Sequence, residues 1–281
     1  MSVTADHIAT YQREGCVHVP GVFSQDWIDR LSDLVLRLDA QMAAGEAVSF
    51  TDNGVQNPPT RHDSGDGAVQ LRNMMTTDAL FTEWLHNSPA AETVGRLMGA
   101  SHVRFWMDAT FIKRGGEASA ATPWHNDVCT FPFWGEHLPS FWVALTDVDA
   151  DNAPLITLAG SNHDPHRYHS PLSRQDITVE GYRPWSELTA RVEARDADIR
   201  VWPAKAGDIL LVHPKTIHGS LPRAAGKPGL RMAFTTRWIG SDVTYAPDAL
   251  SAAIPKLYDN PLMVPGSPPP EALFPVIWRA A

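Results

Sequence analysis

The residues with the most chemical capacity in this chain are His125-Asn126-Asp127, followed far downstream by His218 and then Arg231. Two imidazoles and one carboxylate form the facial triad of non-haem Fe(II) oxygenases, which leaves metal positions open for co-substrate and O2. Side chains two apart on an extended segment point the same way, so His125 and Asp127 can grip one ion while Asn126 points elsewhere. A His-x-Asp pair alone is a weak signal, and an ordinary surface turn would produce it. The segment AGDILLVHPKTIHGS supplies the third ligand, from either His213 or His218. His218 is favoured, because Gly219 and Ser220 follow it and Arg231 lies thirteen residues on. An Arg fork there could bind one carboxylate of a dicarboxylate co-substrate in a bidentate manner. Arg237, six residues further, shares the strand face of Arg231. For both arginines, a surface ion pair is the plainer alternative.

These residues need strands to carry them. From residue 102 onward, HVRFWMDATFIKRG, SFWVALTDVD and LRMAFTTRWIG alternate like strands, and PLITLAGS and DILLVH are short apolar runs ended by turn residues. Before that, residues 1–100 read as mostly helical. Ser24 can cap a helix whose apolar face is Trp27, Leu31, Leu34, Val35, Leu38 and Met42. Ser88-Pro89 reads as a helix start and Gly99 as its stop. Residues 45–70 are rich in Gly, Asn, Asp and Pro and read as a long, lid-like loop. A polar, His- and Arg-rich insert at 162–198 interrupts the strands, and a C-terminal tail over 241–281 is Pro-rich from Pro261 to Pro270. Helices first and then many strands suggest a β-sandwich or small barrel with helices on one face, within a single domain over 1–281.

Bulk properties narrow the function. The chain has 281 residues, 43% of them hydrophobic, enough for a sizeable core. A net charge of −9 disfavours nucleic acid as a partner. Two cysteines, Cys16 and Cys129, build no disulfide framework, and a reducing cytoplasm is the expected location. The polar N-terminus lacks the apolar stretch of a signal peptide, and no run approaches the roughly 20 apolar residues of a membrane span. Ten tryptophans include Trp106, Trp124, Trp134 and Trp142 near the candidate site, where core packing is the ordinary role.

The segments YQREGCVHVPGVFS, FIKRGG, TPWHNDVCTFPFWG, SFWVALTDVDADNAPLITLAGSNH, AGDILLVHPKTIHGS and LRMAFTTRW, in this order and spacing, resemble the phytanoyl-CoA dioxygenase (PhyH-like) family of Fe(II)/2-oxoglutarate-dependent oxygenases. The resemblance implies a mainly β fold with flanking helices, a double-stranded β-helix (jelly-roll, cupin-like) core. It implies His125, Asp127 and His218 as metal ligands, and Arg231 as partner of the distal carboxylate of 2-oxoglutarate. It also implies that Ser220, Lys113 and Trp142 line the co-substrate pocket. The cofactors would be Fe(II), 2-oxoglutarate and O2. Because related halogenases lack the carboxylate ligand, Asp127 favours hydroxylation of an unactivated C–H bond, with release of succinate and CO2. Desaturation or epimerisation on the same scaffold, or a non-catalytic metabolite-binding jelly roll, are the alternatives. Two departures from the common pattern stand out: a longer segment before Arg231, through AAGKPG, and Ala153-Pro154 where a Gly-rich turn is usual.

The family acts on varied metabolites, so the expected substrate is a small or medium organic molecule. Candidate contacts are Arg61, His62, Arg72 and Asn73 in the early loop, and Phe131, Phe133 and Trp134 just after the ligand pair.

Overall fold

The computed structural model describes residues 3–116, 118–171, 177–252 and 254–281. Its principal elements in chain order are α1 (Ala5–Glu14), β1 (Cys16–Val19), α2 (Gln25–Ala43), β2 (Thr60–Asp63), β3 (Ala68–Arg72), α3 (Ala79–Asn87), α4 (Ala90–Met98), β4 (His102–Lys113) and β5 (Thr122–His125). Then follow β6 (Ser140–Ala144), β7 (Leu155–Leu158), α5 (Trp185–Glu193), β8 (Ile199–Trp202), β9 (Ile209–Val212), β10 (His218–Ser220), β11 (Arg231–Ile239) and β12 (Val276–Arg279). Part of the 162–198 insert, residues 172–176, lies outside the described residues.

An eight-stranded sheet runs β1-β9-β6-β11-β4-β3-β2, with β12 also paired to β4. A four-stranded sheet runs β8-β7-β10-β5. Every named strand pair in both is antiparallel. This is a mainly β jelly roll with flanking helices. Among the described residues, no helix is long and apolar enough to cross a membrane.

The large sheet is two-faced, because strand side chains alternate. Val69, Leu71, Ile112, Phe141, Val143, Met232 and Phe234 face the helices and join one apolar cluster with Leu31, Leu34, Val35, Phe81, Trp84 and Val94. Trp84 lies edge-on to Phe234 at 5.0 Å. Each such buried side chain contributes about 1.5–3 kcal/mol, so the helical layer fixes the sheet firmly. The alternate residues, among them Lys113, Trp142, Arg231 and Arg237, lie on the opposite, concave face by register. The helix layer thus stiffens strands whose other side carries the polar chemistry.

Helix α2 follows the expected pattern. Ser24 accepts from the Trp27 amide, and Ile28, Leu31, Leu34, Val35 and Leu38 are buried, with Trp27 and Met42 partly so. Gly99 ends α4 in the left-handed region, while Pro89 sits at the N-cap, one place before the first helical residue. The first hundred residues differ from a mostly helical reading. They also contribute β1, β2 and β3 to the large sheet, and β2 falls inside the segment read as a lid-like loop. TRHD is short, polar and largely exposed, so nothing in its hydrophobic pattern marks a strand. Its pairing with β3 (Arg61 opposite Leu71) makes it one.

Candidate metal and co-substrate site

His125, at the end of β5, lies directly opposite His218 on β10, and their rings are 4.3 Å apart. The close approach of the two strands needs Gly219: a Cβ there would lie 2.6 Å from the Thr122 carbonyl oxygen. Asp127 follows in the turn after β5. One donor atom from each of His125, Asp127 and His218 lies within 4.8 Å of the others, and all three residues are buried. Each histidine Nε2 is 3.8 Å from Asp127 Oδ1.

Backbone contacts prepare both imidazoles for a metal. His125 Nδ1 is 2.8 Å from the Pro123 carbonyl, and His218 Nδ1 is 2.9 Å from that of Thr216. A carbonyl oxygen only accepts, so Nδ1 carries the proton and Nε2 presents its lone pair. Burial, with His218 adjacent, pushes His125 down to about 4, so it is neutral at physiological pH. Burial alone would raise the Asp127 carboxyl, but Arg237, the two histidines and a Ser140 hydroxyl hold it well below the usual carboxylate range. Ser140 Oγ donates to Asp127 Oδ2, and Arg237 Nη2 lies 3.4 Å from the same oxygen. Two imidazole Nε2 atoms turned toward a fixed carboxylate suit the 2-His-1-carboxylate binding of Fe(II). His213 is elsewhere: its Nε2 is 3.1 Å from Glu136 Oε2, in a cluster that Lys215 completes.

The neighbouring end of the large sheet carries a cationic corner. Arg231 and Lys113 are directly opposite across β11 and β4. Arg231 is 3% exposed, and its Nη2 donates to the Ala153 carbonyl at 2.8 Å. Its Nε is buried with no hydrogen-bond partner, and no carboxylate among the described residues pairs with it. Burial pushes the guanidinium down to about 10 and Lys113 down to about 8. A buried cation without an anion is costly, and this arrangement suits an anionic ligand. The Trp142 ring lies 5.2 Å from Arg231 Cζ, and Ser220 Oγ is hydrogen-bonded to Thr122 on β5.

Both departures noted in the sequence have structural roles. Ala153 adopts φ 52°, a conformation glycine takes freely, and thereby aims its carbonyl at Arg231. The longer AAGKPG segment is folded around Arg223, which is 1% exposed. Its Nη2 donates to the carbonyls of Lys227, Pro228 and Gly229, and its Nη1 donates to that of Lys113 at 2.7 Å.

The candidate substrate residues separate by environment. Arg61 is held by Asp39 of α2 at 2.8 Å and by Asp63, and Arg114 binds the second Asp39 oxygen. His62 is exposed on β2, opposite Gln70. Arg72 Nε donates to Gln70 Oε1 at 2.9 Å. Asn73 turns the chain with φ 60° and donates to the Pro58 carbonyl. Phe131 and Phe133 pack edge-on to Trp106 at 4.7 and 4.9 Å, and Phe133 is 1% exposed within an apolar cluster that includes Tyr245 and Phe274. Trp134 lies beneath the Arg167 guanidinium at 3.6 Å. Sequence reasoning missed Ser140 and Arg223, which no motif marks.

A family model described as phytanoyl-CoA dioxygenase (PhyH) matches residues 11–232. The peroxisomal phytanoyl-CoA dioxygenase of Bos taurus is 28% identical over 109 residues, 37% of this chain but only 30% of that protein's length. Among solved structures, the non-heme alpha ketoglutarate dependent carbocyclase SnoK from nogalamycin biosynthesis superposes with a TM-score of 0.74 at 18% identity, covering 98% of this chain and 96% of that one. The epimerase SnoN, in complex with Fe3+, alpha ketoglutarate and nogalamycin RO, gives 0.71 at 21% identity, covering 97% and 98%. At such identities the structural likeness speaks for the fold, and the family model speaks for descent. The chain belongs to the phytanoyl-CoA dioxygenase (PhyH) family of Fe(II)- and 2-oxoglutarate-dependent oxygenases.

Proposed function

We propose that this protein hydroxylates an unactivated C–H bond of a small or medium organic metabolite, converting 2-oxoglutarate and O2 to succinate and CO2. The observation that carries this reading is the pairing of a metal-ready triad, set on the smaller sheet, with a buried, anion-less arginine on the larger one. Fe(II) with bound 2-oxoglutarate supplies the oxidising chemistry; the protein supplies placement and a shielded cavity.

In this reading His125, Asp127 and His218 hold the metal. Ser140 and Arg237 keep the Asp127 carboxylate ionised and oriented, so that it ligates without competing protonation. Arg231 receives the distal carboxylate of 2-oxoglutarate, with Lys113 adding charge and Ser220 and Trp142 closing the pocket. Asp127 occupies the position a halogenase would leave free, which favours hydroxylation.

Anaerobic addition of Fe(II) and then 2-oxoglutarate to metal-free protein should give the weak visible charge-transfer band of a chelated keto acid. Fe(II) binding without that band would sink the co-substrate assignment. Asp127→Ala should abolish turnover, measured as succinate release. Product mass then reads the outcome: one added oxygen for hydroxylation, two lost hydrogens for desaturation, no change for epimerisation.

A further inference from the structure

The concave face carries more positive charge than the metal and 2-oxoglutarate would use. Strand register places Arg72 opposite Ala109 on β4, and Arg237 opposite Met107 on β4 from the other side. The two arginines therefore flank β4 diagonally, with the small Ala109 side chain on the floor between them. Phe111 lies next along the same face, only partly buried and in none of the described apolar clusters. Its neighbours Thr110 and Ile112 point the other way by alternation.

Neither arginine is fully used by the protein. Arg237 reaches Asp127 Oδ2 with Nη2, but its Nη1 is buried with no hydrogen-bond partner. Arg72 is open to solvent and has no carboxylate partner among the described residues; its Nε donates to Gln70, and its two terminal nitrogens have no hydrogen-bond partner among the described residues. Surrounding protein, and then the Arg237 charge, lower the Arg72 pKa. Two cations that raise each other's cost, with terminal nitrogens unspent, form a site awaiting an anion.

We infer that the substrate is an organic acid whose carboxylate binds between Arg72 and Arg237, with its carbon skeleton crossing Ala109 toward Phe111. The inference rests on the functional reading above and names its substrate class. The planar fork of each arginine matches a carboxylate, and Arg237 then links the substrate anion to the Asp127 ligand through one side chain. The geometry ties substrate arrival to the metal's own coordination group.

The test is ligand-observed NMR on anaerobic protein supplied with Fe(II) and 2-oxoglutarate. The probes are hexanoate, phenylacetate and benzoate, each against its primary amide, with phenyl phosphate added. Acids should bind in preference to the isosteric amides. Arg72→Gln should erase that preference, weakening acids by about 10- to 100-fold, the worth of a charge-assisted pair, while Arg72→Lys should restore part of it. No acid-over-amide preference in the wild type, or a preference that survives Arg72→Gln, overturns the proposal; preference for phenyl phosphate alone overturns the carboxylate assignment. Failure of the functional reading looks different: the charge-transfer band would be missing while the Arg72-dependent acid preference persisted.

Discussion

Replacing Arg231 with glutamine probes the co-substrate half of the site. Arg231 is 3% exposed, and its described partners are one carbonyl and an aromatic face. A ligand carboxylate would therefore supply its whole countercharge. Truncating one partner of a buried, hydrogen-bonded charge pair costs about 2–5 kcal/mol. Lys113, directly opposite, can take up part of the ligand charge, so the lower half of that range applies: about 2–3.5 kcal/mol, or about 30- to 300-fold in Kd. The assay is anaerobic titration of the Fe(II) protein with 2-oxoglutarate, followed by its visible band. 2-Oxobutyrate, which keeps the chelating end but lacks the distal carboxylate, should bind both proteins equally weakly. The variant would thus lose the wild-type preference for the diacid. Thermal stability without ligand should hold or rise, because a buried cation lacking an anion has been removed. A variant that binds 2-oxoglutarate within about threefold of wild type, under about 0.7 kcal/mol, would refute the reasoning and move the distal carboxylate elsewhere.

Other consequences can be measured on the same protein. Gly219→Ala places a Cβ 2.6 Å from the Thr122 carbonyl, so β5 and β10 must part; metal affinity, read by titration, should fall about tenfold or more, as when a supporting contact of a metal site is lost. Arg223→Met strands the carbonyls of Lys113, Lys227, Pro228 and Gly229; a loss of about 3–4 kcal/mol should lower Tm by about 6–16 °C, and an unchanged melting curve would contradict that role. Burial depresses Lys113 from 10.5 to about 8, so its charge is lost as pH rises through 8 and 2-oxoglutarate affinity should fall there, with Lys113→Met removing that slope. The stability sign is opposite: between about pH 8 and 10.5 the unfolded chain holds this proton and the folded chain does not, so ligand-free stability should rise across that window.

The metal triad was legible because its ligands come in a compact motif and an apolar-flanked partner segment, both of which survive reading in one dimension. That Arg231 and Arg237 share a face was legible from alternation along one strand, whereas the pairing of Arg231 with Lys113 needed β4 to lie beside β11. What escaped depends on distant pairings. Arg61 looked available until α2 brought Asp39 against it, and Phe133 looked like a pocket wall until Trp106, Tyr245 and Phe274 closed around it. Ser140 reads as an unremarkable strand residue; its contact with Asp127 exists only once β6 lies beneath the turn after β5. β2 was invisible because polar edge strands carry little hydrophobic pattern.

The Asp39 clasp separates two kinds of change open to this fold over evolutionary time. Asp39, 0% exposed on α2, ties Arg61 of the β2–β3 hairpin and Arg114 just beyond β4 to the helical layer. The hairpin is thereby a tethered module at the sheet's outer edge, bearing His62, Gln70 and Arg72 but none of His125, Asp127, His218 and Arg231. Its side chains can be exchanged as long as Arg61 keeps its tether, while the residues proposed to hold metal and 2-oxoglutarate, on other strands, keep their places. A lineage can in this way retool what it accepts at one margin while inheriting unchanged the apparatus that does the work.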